Sequence, residues 1–379
     1  MQEGQRRGQR ELDEKVVKAK FCTACGACVN VCPYRRARRD RIVTLFDCDI
    51  VQGRCYAFCP RTGVDLDGLA GSLFDPADLT VELGAVKGIF LARAAGERVR
   101  MTSQHGGTVT ALAAYALRSS MVDGFVLTQP DASLVPRGEL VTDWRKVRAC
   151  SGSTFVASPS VAAFNMAARG PLSSIGAVAL PCHALAYAKM RAMPEDVEPQ
   201  PVGRPALVIG LFCSWALAWE GLFGIVSSKV GAHEVTGMEI PPKEHGVMQV
   251  FTREGMETFG LEDVKRRIRG ACHYCFDLTS EFADISVGSA LLEEDWETAR
   301  RWNLLIVRSA RGLELVENAR RRRAVDVREA PENVVAVLKE ASVLKRARAL
   351  RNLRLRSQEP GDFVYLNTRD PYLAGVPGS

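Results

Sequence analysis

No run of about 18 apolar residues occurs in this 379-residue chain, so no membrane-spanning helix is predicted. The opening residues, MQEGQRRGQRELDEK, lack the apolar stretch of a secretory signal. They predict a polar, solvated and frayed lead-in over residues 1–20. The basic C-terminal region lacks interleaved aromatics and follows no nucleic-acid motif, so a nucleic-acid role fits worst. Apolar and charged fractions are otherwise those of an ordinary globular protein, and the length predicts two or three domains. What stands out is cysteine. There are twelve, and seven of them fall between Cys22 and Cys59.

Clustered cysteines in a chain without a secretory signal read as metal ligands rather than disulfides. The compartment expected is a reducing, anaerobic cytoplasm, with attachment to the periphery of a membrane complex left open. The net charge of +6 is uneven. From Glu317 to Arg356 there are twelve Lys or Arg against five Asp or Glu. Such a patch suits an acidic partner or cofactor, or is simply a solvated helix face.

The stretch FCTACGACVNVCPYRR carries Cys22, Cys25, Cys28 and Cys32, with Pro33 after the last. Short C-x2-C-x2-C spacing lets one loop wrap an iron–sulfur cubane. In two-cluster ferredoxins the fourth cysteine of such a run ligates the other cluster. A second, altered run follows in FDCDIVQGRCYAFCPRT. By symmetry Cys59 completes the first cluster with Cys22, Cys25 and Cys28, while Cys32 joins Cys48 and Cys55 on a second. An intact repeat would place another cysteine near Gln52. Asp47 or Asp49 substitutes, or the site holds three irons or none. Zinc prefers two separated C-x2-C pairs and fits poorly.

From Val86 onward the pattern becomes α/β. GIFLARA reads as a buried strand, SQHGG as a turn, TVTALAAYAL as a helix and GFVLT as the next strand. Glycines at a helix entrance let a ligand approach free N–H groups, although a plain capped turn fits as well. IGAVALPC and PALVIGLFC read as strands ending in Cys182 and Cys213, at the sheet edge where α/β proteins bind ligands. The segment CHYCFDLTSEFADISVGS adds Cys272 and Cys275, giving four ligands for one more cubane. Cys150 stands outside this scheme as a packing or pocket residue. The segment after Pro331 reads as a basic amphipathic helix with Pro331 in its first turn, and the end, DPYLAGVPGS, as a flexible tail.

These pieces resemble a known family. It comprises the beta subunits of coenzyme F420-reducing hydrogenase and F420-dependent formate dehydrogenase, together with chlorophyllide-type reductases. The likeness rests on SQHGGTVTALAAYAL, SGSTFVASPS, LPCHALAYAKM, IGLFCSWAL and CHYCFDLTSEFADISVGSA, in that order, over residues 86–310. The fold expected is an N-terminal ferredoxin-like module for two clusters over residues 21–80. A flavin-binding α/β domain with a cluster-bearing C-terminal part follows over 86–310. A basic helical region and tail occupy 311–379.

The resemblance implies FAD and a [4Fe–4S] cluster on Cys182, Cys213, Cys272 and Cys275. It implies Ser103, Gln104, Gly106 and Gly107 against the flavin, Gly152, Ser153 and Thr154 lining the same pocket, and Asp284, Gly288 and Ser289 closing it. Two positions depart from the family pattern. His105 stands where Asp is usual, and Thr154 where lysine is usual. The second departure bears on coenzyme F420 as substrate more than on FAD, and Lys243 is a candidate replacement cation.

The expected function is exchange of a hydride at FAD with single electrons passed through [4Fe–4S] clusters to partner subunits. The partner would be a hydrogenase, a formate dehydrogenase, a heterodisulfide-reductase-like module or a ferredoxin. An electron-transfer subunit without its own substrate site is one alternative. A stand-alone reductase of an organic substrate is another. For that role His105, His183 and His273 are the nearby histidines, read here as neighbours of the clusters rather than acid catalysts.

Overall fold

The structure is a computed structural model. It describes residues 7–129, 131, 133–193, 203–231, 234–241, 246–290, 292, 299–357, 359, 361–370 and 373. Lys243 and most of the C-terminal tail lie outside the described residues.

Among the described residues, eight strands form one mixed sheet. They are β1 (Gly88–Ala94), β2 (Gly124–Gln129), β3 (Arg137–Val141), β4 (Ile175–Ala179), β5 (Leu207–Leu211), β6 (Ile285–Ser289), β7 (Asn303–Val307) and β8 (Val325–Glu329). The order across the sheet is β8-β1-β7-β6-β5-β4-β2-β3. Strands β2, β4, β5 and β6 pair in parallel. β7 runs antiparallel between β6 and β1, so β1 points the same way as the parallel set. The two edge strands are antiparallel to their neighbours. All five co-directed strands therefore end on one edge.

The alternation along the strands sorts the core into two faces. Phe125, Leu127, Leu207 and Ile209 pack with helices α1 (Thr108–Arg118) and α4 (Ala310–Arg321). Val126, Ala177 and Val208 point to the other face, toward α2 (Ser160–Ala167) and α3 (Pro181–Arg191). On that face Leu91, Leu304 and Ile306 meet Val334 and Leu338 of α5 (Glu332–Arg354).

The cysteine-rich segment does not stand apart. Cys25, Cys28, Cys32 and Cys55 share one continuous core with Phe164, Tyr187 and Leu350. Asn165 donates to the carbonyls of Ala27 (3.1 Å) and Val29 (2.8 Å), and Asn30 donates back to Ala162 (2.8 Å). Gly26 is required here. Its φ is +87°, and a Cβ would stand 2.7 Å from the Pro159 carbonyl.

Five sequence expectations change. The lead-in is ordered over its second half, where Gln9–Leu12 is helical and continues as a π-helical segment to Lys18. Leu12 and Val16, one turn apart, are buried against the cysteine loop. The α/β unit does not stop at residue 310, because α4 covers one sheet face and β8 forms an edge. The C-terminal helix is only partly a solvated basic face: Lys345 and Arg346 are buried. Pro331 precedes this helix rather than sitting in its first turn, and Leu373 in the tail is buried.

Candidate iron–sulfur and flavin sites

Cys22, Cys25, Cys28 and Cys59 line one cavity with Arg35 and the apolar side chains of Leu12, Val16, Val17 and Ile42. Left-handed backbone at Ala24 and Gly26 coils the loop around it. Burial pushes the Cys25 and Cys28 thiols well above the ordinary thiol range, and neighbouring cysteines add to the effect. Thiolates in such a place need fixed positive charge. Arg35 supplies it. Its side chain is fully buried, it pairs with Asp13, and its Nε and Nη1 have no hydrogen-bond partner among the described residues. A buried, half-satisfied guanidinium beside four thiols fits an anionic group rich in sulfur acceptors.

Zinc draws its sulfurs onto one ion at about 2.3 Å each. Among the described residues no three Cys, His, Asp or Glu side chains close on a single point in that way.

The second group is outer. Burial raises the Cys55 thiol to about 11, with Arg35 opposing and Cys32 and Cys48 nearby. Arg35 thus acts on both Cys28 of the first group and Cys55 of the second. Asp49 is not a fourth ligand here. Its side chain is 94% exposed and pairs with Arg10 at 3.2 Å. Asp47 is exposed as well. Phe46, Ile50 and Val51, which flank Cys48, are all exposed apolar residues, so this group faces the surface.

The third group sits at the carboxyl edge of the sheet. Cys182 opens α3 directly after β4, and Cys213 follows β5. Cys272 lies in the 3-10 turn Gly270–Tyr274, with Cys275 immediately after it. Burial raises Cys182 to about 12, with Cys275 and Cys272 contributing, and pushes Cys213 higher still. The Ala216 N–H donates to Cys272 Sγ at 3.3 Å. Lys345 buries its ammonium here, donating to the carbonyls of Cys213 and, at 2.7 Å, Asp277. After burial, Cys182 is the strongest influence on Cys25, so the first and third groups adjoin.

The same edge gathers the residues expected around a flavin. Ser103 Oγ lies 3.3 Å from Thr110 Oγ1, tying the turn to α1. Gln104 bonds Ser153, and Ser151 donates to the Thr102 carbonyl at 2.8 Å. His105 Nε2 and Ser289 Oγ are 3.1 Å apart. Asn303 accepts from the Thr108 N–H at 3.2 Å and donates to the Gly288 carbonyl at 3.2 Å. Gly107 has φ +71° at the start of α1, and no side chain of its own caps the helix. Gly152 has φ +104° and open space where a Cβ would stand. Thr154 follows, half-buried, on the same segment. Three chain segments thus meet at glycine-lined backbone beside a helix N-terminus, a cradle that fits a phosphate-bearing planar cofactor.

Asp284 does not join them. It precedes β6, at the opposite edge from Ser289, where it pairs with Arg191 at 2.7 Å and accepts from the Val208 N–H at 2.7 Å. Its carboxylate is fully engaged in holding strands together. His105 is also relocated, to the turn side rather than a cysteine group. Burial, with Arg300 nearby, lowers its pKa to about 4. His183 is lowered to about 4 by burial alone and lies 3.1 Å from Ser160 Oγ. Cys150 closes a 3-10 turn, half-buried against the α1 face of the core.

Sequence reasoning missed the buried cations Arg35, Arg61 and Lys345 and the half-buried Lys189. Lys189 donates to the Cys59 carbonyl and to Thr62 Oγ1, both at 2.8 Å. Only the position of Arg61, directly after Cys59-Pro60, offered a local signal.

A family model described as the N-terminal part of the coenzyme F420 hydrogenase/dehydrogenase beta subunit matches residues 89–165, and its C-terminal counterpart matches 172–333. A 4Fe-4S binding domain matches residues 15–35. The coenzyme F420 hydrogenase subunit beta of Methanothermobacter thermautotrophicus is 25% identical over 73% of this chain and 97% of its own length. One subunit of the F(420)H(2) dehydrogenase of Methanosarcina mazei is 26% identical over 75% of this chain and 80% of its own. Among solved structures, a chain of the F420-reducing [NiFe] hydrogenase complex from Methanosarcina barkeri shares the fold. It has a TM-score of 0.64 and 23% identity, over 79% of this chain and 99% of that one. With both halves of its α/β unit matched in sequence, this chain belongs to the family of coenzyme F420 hydrogenase/dehydrogenase beta subunits.

Proposed function

We propose that the chain is an oxidoreductase subunit that binds FAD at the glycine-lined carboxyl edge and [4Fe–4S] clusters on its cysteine groups, and passes electrons to a partner redox protein. The observation that carries this reading is the order of the groups. The third shares an edge with the 103–107 and 151–154 turns, the first adjoins the third, and the outer one faces the surface.

When bound, the flavin supplies conversion between a hydride's electron pair and single electrons, and the clusters supply one-electron carriage. The chain's own residues bind and tune. Ser103, Gln104, Gly106 and Gly107 form one wall of the flavin cradle, with Gly152, Ser153 and Thr154 opposite and Gly288 and Ser289 at the strand end. His105 stays neutral near pH 7 and holds Ser289. Cys22, Cys25, Cys28 and Cys59 hold the first cluster, Cys182, Cys213, Cys272 and Cys275 the third, and Cys32, Cys48 and Cys55 supply three thiolates to the outer one. Arg35 and Lys345 offset thiolate charge in places that exclude water.

Coenzyme F420 enters as the substrate class named for the relatives. The test is to purify the protein without oxygen and measure iron, acid-labile sulfide and released flavin, then reduce it with F420H2. About twelve irons and one FAD per chain, with bleaching by F420H2, support the whole reading. Iron without flavin would leave an electron relay. Flavin without reaction toward F420H2 would move the substrate to another hydride donor.

A further inference from the structure

Arg61 touches both inner cysteine groups, as does Arg269, whose Nη2 donates to the Cys22 carbonyl at 3.2 Å and whose own carbonyl accepts from the Cys272 N–H at 2.9 Å. Arg61 follows Cys59-Pro60, and its backbone N–H points at Cys59 Sγ, 3.4 Å away. Its guanidinium crosses to the other group. Nη1 donates to the Tyr274 carbonyl at 2.9 Å and Nη2 to the Ala271 carbonyl at 3.2 Å. Those carbonyls belong to the residues just before Cys275 and just before Cys272. The side chain is buried, stacks 4.8 Å from the Tyr365 ring, and keeps an Nε without a hydrogen-bond partner among the described residues.

We propose that Arg61 is a shared coupling residue of the two inner clusters, a fixed cation whose side chain holds the Cys272–Cys275 turn against Cys59 and which shifts both reduction potentials together. This rests on the reading that both cysteine groups carry clusters.

The argument is electrostatic and steric. An added electron makes a cluster more negative. A cation held nearby in a water-poor interior stabilises that reduced form more than it would in solvent. A lysine could supply the charge, while the planar guanidinium holds its two donors in a fixed fork aimed at the two carbonyls of the Cys272–Cys275 turn. Transfer between the groups moves one electron, oxidising one cluster and reducing the other, with no bond made or broken and no proton taken up. With one cation serving both ends, the driving force of that step depends on the difference in its two distances rather than on its full charge.

The experiment compares the anaerobically purified full chain with Arg61→Met and Arg61→Lys. Iron and sulfide are counted, and each cluster's midpoint is followed by EPR-monitored redox titration. Arg61→Met is expected to move the first and third midpoints together to more negative values, with the outer midpoint unchanged. Arg61→Lys should restore most of that shift. If Arg61→Met sheds iron, Arg61→Lys decides: both midpoints near wild type support shared coupling, and displacement of only one overturns it. Wild-type midpoints in a fully loaded Arg61→Met protein would reduce Arg61 to a clasp and overturn the proposal. Absence of one inner cluster from the wild-type protein would instead refute the underlying reading, and the iron count reveals that separately.

Discussion

The two edges of the central sheet are built from the same strands and do opposite things. β6 is five residues long. At its start Asp284 gathers Arg191, the Val208 N–H and the Ser309 hydroxyl, each at 2.7 Å. At its end Gly288 and Ser289 meet the 103–108 turn. β7 repeats the division in reverse. Asn303 caps Thr108 at the carboxyl edge of β6, while Arg308, just past the other end, is fully buried. It donates to the carbonyls of Leu83, Ala85 and Thr279 and to Ser286 Oγ. One edge is saturated with hydrogen bonds and ion pairs. The other is left-handed turns, glycines and thiols. The ion pairs and buried hydrogen bonds of Asp284 and Arg308 are thus concentrated at the edge away from the cysteines and the glycine turns.

Substitutions on each edge should therefore separate cofactor content from stability. The largest effect is expected from Cys275→Ala, which should remove about four irons per chain while the flavin is retained. Metal and sulfide analysis checks it, and an unchanged iron count would remove the third group as a cluster site. Asp284→Ala should cost about 3–5 kcal/mol in denaturant unfolding, because the half-buried Arg191, the Val208 N–H and the Ser309 hydroxyl lose their common acceptor. Flavin per folded chain should stay constant. Flavin loss at wild-type stability would return Asp284 to the site.

Gly106→Ala tests the other edge. Its Cβ would meet Asn303 Oδ1 at 2.9 Å and the Arg301 carbonyl at 3.0 Å. We expect a cost of about 1–3 kcal/mol together with loss of bound FAD, read from the released flavin.

His105 gives a pH signature. Its folded pKa of about 4 lies below the ordinary 6.5, so the unfolded chain takes up a proton that the folded chain refuses. The stability this contributes is complete above pH 6.5 and is lost as pH falls toward 4. Unfolding free energy should drop by about 1–2 kcal/mol across that window, after allowance for partial solvent contact, and His105→Asn should flatten the drop. The smallest effect is Ser309→Ala. Its hydroxyl accepts from the Gly312 N–H at 3.0 Å to start α4, and its loss should cost about 1 kcal/mol with no change in cofactor content.

The strands GIFLARA, GFVLT and ISVGS and the helix at 108–118 were legible because their apolar spacing is local and strong. The gathering of cysteines was legible because C-x2-C-x2-C and the repeated Cys-Pro ends encode it over short range. Asp284 was misplaced because a motif marks a strand without saying which end of it a ligand meets. β8 was missed because VDVRE is an edge strand, half polar, and lacks a buried pattern. The order in the lead-in hangs on Leu12 and Val16, which are buried only once the cysteine loop arrives. Lys345 and Arg346 look like any basic helix residues, and only long-range packing turns them inward.

The last helix has a consequence for how the protein is made. Lys345 closes on the Cys213 and Asp277 carbonyls, and Asn352 donates to the His273 carbonyl at 2.8 Å. Arg356, just beyond the helix, donates to Tyr274 Oη at 3.0 Å and the Ala19 carbonyl at 3.2 Å. These residues leave the ribosome after every cysteine has been synthesised. The inner cysteine groups are thus closed by a strap that is the last part of this assembly to be synthesised.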